Sequence, residues 1–133
     1  MRLSVYEGYF RKIYGSTEKR SHEQAIVLCR EGGFDTVAVG LGGKTAEDNL
    51  ILRDDPLGEA QRLRDYCDGL GVAVEQTHAR FDFKGMTREQ FVADMIKTVK
   101  VSKRLGADTI AVHADTYYDP EYRFDFDTVR DVI

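Results

Sequence analysis

Three times in this chain a helix-like stretch ends on glycine and runs straight into an aliphatic strand. The passages are Gly32-Gly33-Phe34-Asp35-Thr36-Val37-Ala38-Val39, Gly69-Leu70-Gly71-Val72-Ala73-Val74 and Leu105-Gly106-Ala107-Asp108-Thr109-Ile110-Ala111-Val112. This is a repeating βα unit. With an opening strand from Leu3 to Tyr6, strand starts fall at Leu3, Thr36, Val72 and Thr109, which gives spacings of 33, 36 and 37 by subtraction. Such a period is close to one-eighth of a (β/α)8 barrel of about 250 residues. The expected fold class is therefore α/β, with the (β/α) units of a TIM barrel and about its first four strands, a half barrel over residues 1–133.

The caps of the intervening helices are explicit. Ser21-x-x-Gln24 and Thr87-x-x-Gln90 fit the capping box, and Asp55-Pro56 pairs a cap residue with proline at the first helical position. Helices are expected over about 21–32, 56–69 and 87–105. In the last, Phe91, Met95, Thr98 or Val99, Ser102 and Leu105 fall at helical spacing, with Lys97, Lys100, Lys103 and Arg104 elsewhere on the circumference as a solvated face. The strands are short, β-branched and separated by helices, so they read as buried parallel strands rather than hairpins. Strands three and four end on His78 and His113, at the strand ends where parallel α/β sheets carry chemistry. Along strand four, His113 shares a face with Ala111 and Thr109. Strand three is less regular: Glu75 falls on the face expected under a helix, which requires either a rim position or a bulge.

Composition excludes more than it assigns. Net charge is -4, with 42% hydrophobic and 32% charged residues, ordinary globular usage without the basic footprint of a nucleic-acid binder. No apolar run approaches the roughly 20 residues of a membrane span. Cys29 and Cys67 sit near helix ends as small buried thiols, and a reducing cytoplasm is the expected compartment. An aromatic and acidic loop, Tyr117 to Phe124, follows Asp115 and Thr116, and Asp125 to Ile133 reads as the start of a fourth repeat helix. With no glycine cap or following strand, the chain is expected to be the first half of a longer protein.

The segment Ala38-Val39-Gly40-Leu41-Gly42-Gly43-Lys44-Thr45 approximates a phosphate-binding loop after a strand. No long amphipathic helix opens at Lys44, however, and Pro56 starts a different one. The segment therefore reads as a glycine-rich loop, with Lys44 solvated or reaching for an anionic group.

The paired strand-end histidines and the helix-to-strand rhythm resemble the xylose isomerase-like barrel superfamily, which contains sugar phosphate isomerases and epimerases and endonuclease IV-type enzymes. The resemblance runs through Arg2-Leu3-Ser4-Val5-Tyr6, Cys29 to Val37, the Gly69-Leu70-Gly71-Val72 passage leading to His78, and Ala107 to His113. It implies a divalent-metal enzyme, using manganese, zinc, magnesium or cobalt, that moves a proton next to a sugar carbonyl. It implies substrate-binding roles for His78, His113, Asp115 and Glu7, with His78 and His113 as metal ligands in the endonuclease branch. Most of the metal cage and the proton-abstracting glutamate belong to strands five to eight, so these 133 residues alone are expected to be inactive. The chain departs from the family at Val39-Gly40-Leu41, where a glutamate is common, and at Ala79-Arg80, where a proline-containing turn is usual.

Three functional readings follow. The first is a sugar phosphate isomerase or epimerase acting on a small sugar or sugar phosphate. The second is an endonuclease IV-type hydrolase, which the acidic charge disfavours; the third is a non-enzymatic α/β nucleotide-binding module. Open sheet edges would invite a homo-oligomer.

Overall fold

The computed structural model describes residues 2–80 and 86–112. Four strands, β1 (Ser4–Tyr6), β2 (Thr36–Gly40), β3 (Ala73–His78) and β4 (Thr109–Ala111), form one sheet in the order β1-β2-β3-β4, and every neighbouring pair is parallel. The chain is thus an α/β protein with a four-stranded parallel sheet. Its helices are α1 (Gly8–Arg11), α2 (His22–Glu31), α3 (Pro56–Leu70) and α4 (Arg88–Leu105), with a 3-10 turn at Leu50–Leu52.

Local chemistry sets the helix ends. Ser21 and Thr87 each accept from the backbone N–H of the residue three further on, and Gln24 and Gln90 reach back to the cap backbone. Asp55 caps α3 by accepting from the Gly58 N–H, with Pro56 in the first turn. At the other end, α4 stops on Gly106 in the left-handed region (φ 88°), where a side chain would be strained. α1 was not expected: a single turn that follows β1 directly.

One apolar cluster holds the helices to the sheet. Ile26 and Cys29 of α2, Ala60, Leu63 and Cys67 of α3, and Val101 and Leu105 of α4 pack with Val37, Val39, Val72 and Val74. The β2 members alternate along the strand, so they mark one face of the sheet as the helix side. Both thiols lie in this cluster, and burial pushes Cys29 up to about 11 and Cys67 to about 12. In α4 the buried residues are Met95, Thr98, Val101, Ser102 and Leu105, so Thr98 rather than Val99 lies in the stripe, which also takes in Val101.

The anomaly at Glu75 resolves as a bulge. Val37 pairs with Val74 and Ala38 with Gln76, so Glu75 is skipped in the register. The extra residue turns Glu75 outward, 44% exposed and 3.7 Å from Arg2. It also changes the parity beyond it. Thr77 joins Val74 on the helix side, where its Oγ1 lies 2.6 Å from Ser102 Oγ. Gln76 and His78 are delivered to the opposite face.

Candidate functional site

Three strand ends converge on the face opposite α2, α3 and α4. Tyr6 closes β1, Gly40 closes β2 and His78 closes β3, with Gly40 in register with His78. The Tyr6 and His78 rings meet across the intervening strand, centroids 4.8 Å apart and planes inclined 41°. Gly40 makes this possible: a Cβ there would lie 2.5 Å from Tyr6 Oη. Tyr9 of α1 stands edge-on to Tyr6 at 5.5 Å and is 70% exposed, which extends the aromatic row outward.

The polar chemistry of this rim is that of hydrogen-bond donors. The Gln76 amide nitrogen lies 3.1 Å from His78 Nε2. An amide N–H can only donate, so a neutral His78 ring accepts at Nε2 and carries its proton on Nδ1. Burial, reinforced by the neighbouring Glu7 carboxylate, pushes the Tyr6 phenol above its ordinary value, so it keeps its O–H. A phenol and an imidazole N–H beside one another suit the carbonyl and hydroxyl oxygens of a small polar molecule.

Replacing Gly40 by alanine is expected to swing Tyr6 off His78 at small cost, because the far end of a side chain can move. The His78 ring-proton resonances should shift as the Tyr6 ring current is withdrawn, while stability changes by about 1 kcal/mol or less. Unchanged resonances would show that the two rings do not depend on the missing Cβ.

Glu7 occupies a different environment. It follows β1 with the opposite parity from Tyr6 and is fully buried. Its Oε1 accepts from the Gly40 N–H (3.2 Å) and from His22 Nδ1 (3.1 Å), while Oε2 has no partner among the described residues. His22 Nε2 faces Arg11 Nη1 at 3.4 Å. Guanidinium only donates and carboxylate only accepts, which fixes the imidazole as the Nδ1–H form. Arg11 also bonds the Arg20 and Asp48 carbonyls and the Asp48 carboxylate, and Lys19 meets Asp48 at 2.7 Å. The result is a polar network, buried at Glu7, His22 and Arg11 and reaching solvent through Asp48 and Lys19, that ties β1, α1, α2 and the loop after β2 together. Glu7 is therefore committed to this network rather than presented on the rim with His78.

Tyr6, His22 and Arg11 had no place in the sequence-level site. His113 and Asp115 lie outside the described residues. The loop after β2 is not helical at Lys44; it folds back so that Asn49 Nδ2 donates to the Gly43 carbonyl, and α3 begins only at Pro56. Among the described residues no three histidine, cysteine, aspartate or glutamate side chains gather as a metal cage, and the rim supplies one imidazole without a carboxylate. The described residues do not by themselves fit a metal. Among them no helix is long and apolar enough to cross a membrane. No protein-family model, curated protein or solved structure matches this chain.

Proposed function

We propose that this chain forms the first four βα units of a xylose isomerase-like barrel and carries part of the substrate pocket of a sugar phosphate isomerase or epimerase. The observation that supports this reading is the convergence of Tyr6, Gly40 and His78 at the C-terminal ends of three successive parallel strands, on the face opposite α2, α3 and α4. In such a sheet that rim is where substrates bind. Tyr6 and His78 would hold the carbonyl and neighbouring hydroxyl of an open-chain sugar by donating to them. Proton transfer at the adjacent carbon needs a base, and Glu7 is sequestered by His22 and Gly40, so the base belongs to another part of the barrel.

Titration calorimetry with a panel of aldose and ketose phosphates and their free sugars, with and without Mn2+, tests this. Saturable binding of at least one open-chain-forming sugar phosphate is the expected result. Absence of heat across the whole panel, with the chain folded, would contradict the proposal.

A further inference from the structure

A groove of about 390 Å³ runs between α3 and α4, lined by Leu57, Gln61, Arg64, Lys100, Lys103 and Arg104. Four of these six residues are cations, in a chain whose net charge is -4. Many cations elsewhere are answered by acids: Arg11 and Lys19 by Asp48, Arg30 by Asp35, Arg53 and Arg62 by Glu59, and Arg80 by Asp94. In the groove Arg64 has Asp68 at 3.7 Å, with both side chains largely in solvent, and Gln61 donates to the exposed Asp65 carboxylate at 2.8 Å. Arg104 turns to an uncharged partner, Gln61 Oε1, at 3.4 Å.

The end of α4 accounts for part of this cluster. Lys103 and Arg104 lie in its last turn, where the unpaired carbonyls carry roughly half a negative charge. Arg64 reaches over Gly106, where a Cβ would sit 3.2 Å from its guanidinium carbon. Two carboxylates, Asp65 and Asp68, and half a charge do not balance four cations, and Lys100 stands a turn before the helix end. A clear positive excess remains, contributed by two helices and concentrated on one concave surface.

We infer that this groove binds a short run of linked phosphates on a small molecule. Its volume is that of a small-ligand site rather than a protein interface. A diphosphate or triphosphate places several charges within a few ångströms, matching the clustered cations, and Arg64 offers a planar fork to phosphate oxygens. Leu57 gives an apolar margin for whatever carries the phosphates. The groove uses none of Tyr6, Gly40, Gln76 or His78, so it is independent of the sugar-site proposal.

The probe is inorganic triphosphate, titrated into the whole chain at low ionic strength and followed by amide NMR, with ATP and a hexaglutamate peptide as parallel arms. Saturable shifts along α3 and α4 are expected. The double variant Lys100→Gln/Lys103→Gln, both exposed positions, should fold normally and weaken binding roughly tenfold, while Lys100→Arg/Lys103→Arg retains it. Raising the salt should weaken the wild-type complex, as screening shortens the reach of the cations to about 10 Å at 0.1 M. Tighter binding of ATP would identify a nucleoside as the carrier, and equal binding of the two would place recognition in the phosphates alone. No saturable shift, an unaffected glutamine variant, or hexaglutamate binding as tightly as triphosphate would overturn the assignment.

Discussion

Replacing Arg11 with alanine is expected to destabilise the fold by about 3–5 kcal/mol, the range for breaking a buried ion pair by removing one partner. That is a large share of the 5–15 kcal/mol that holds a typical domain together. Arg11 is only 8% exposed, yet its guanidinium serves His22, Asp48 and two further backbone carbonyls. Truncation leaves the His22 ring nitrogen and those carbonyls without their donor, and leaves Asp48 with Lys19 alone. Lys19→Ala is the contrast: half exposed, it should cost no more than about 1 kcal/mol. Urea midpoints of the two variants measure the difference, and an Arg11→Ala loss as small as that of Lys19→Ala would show that the network is solvated rather than structural.

The same pair gives a pH dependence. The Lys19 hydrogen bond holds the Asp48 carboxyl below its ordinary value, against the opposing effect of burial. A depressed carboxylate contributes stability that is present above its unfolded value and is lost as pH falls through the folded one. Lys19→Ala should therefore flatten the acid limb of the stability curve without altering it near neutrality beyond the loss already stated.

The second large effect is expected at the rim. His78→Ala should weaken binding of a sugar phosphate by roughly tenfold or more, since it removes a donor and the ring against which Tyr6 lies. Stability should change little, because the ring is only half-buried at a strand end. A variant that binds as the wild type does would move the site elsewhere. One that unfolds would make His78 a structural residue.

How much of this was legible in sequence depends on the range of the forces involved. Helix starts were readable because Ser21, Thr87 and Asp55 act on backbone groups three residues away. Strand order followed from the repeat. The misfit of Glu75 signalled a local irregularity, but only the pairing of Val37 with Val74 and Ala38 with Gln76 shows which kind. α1 escaped because four residues make one turn, too short to show periodicity and held by its neighbours rather than by propensity. The Glu7 network escaped for another reason: its partners lie 11 to 37 residues apart from one another, and no spacing encodes their meeting. Tyr6 was within reach, since it ends β1 as His78 ends β3, and the intervening glycine at 40 is the signal that the two could touch.

The central claim is that ligand chemistry belongs to the strand-end rim opposite α2, α3 and α4 and not to the buried histidine beneath it. Imidazole nitrogen-15 NMR reads both at once, because His78 lies on the rim and His22 is locked between Glu7 and Arg11. On titration with a sugar phosphate the His78 ring nitrogens should shift and saturate while those of His22 stay where they are. A stationary His78, or a response at His22 alone, would contradict the account.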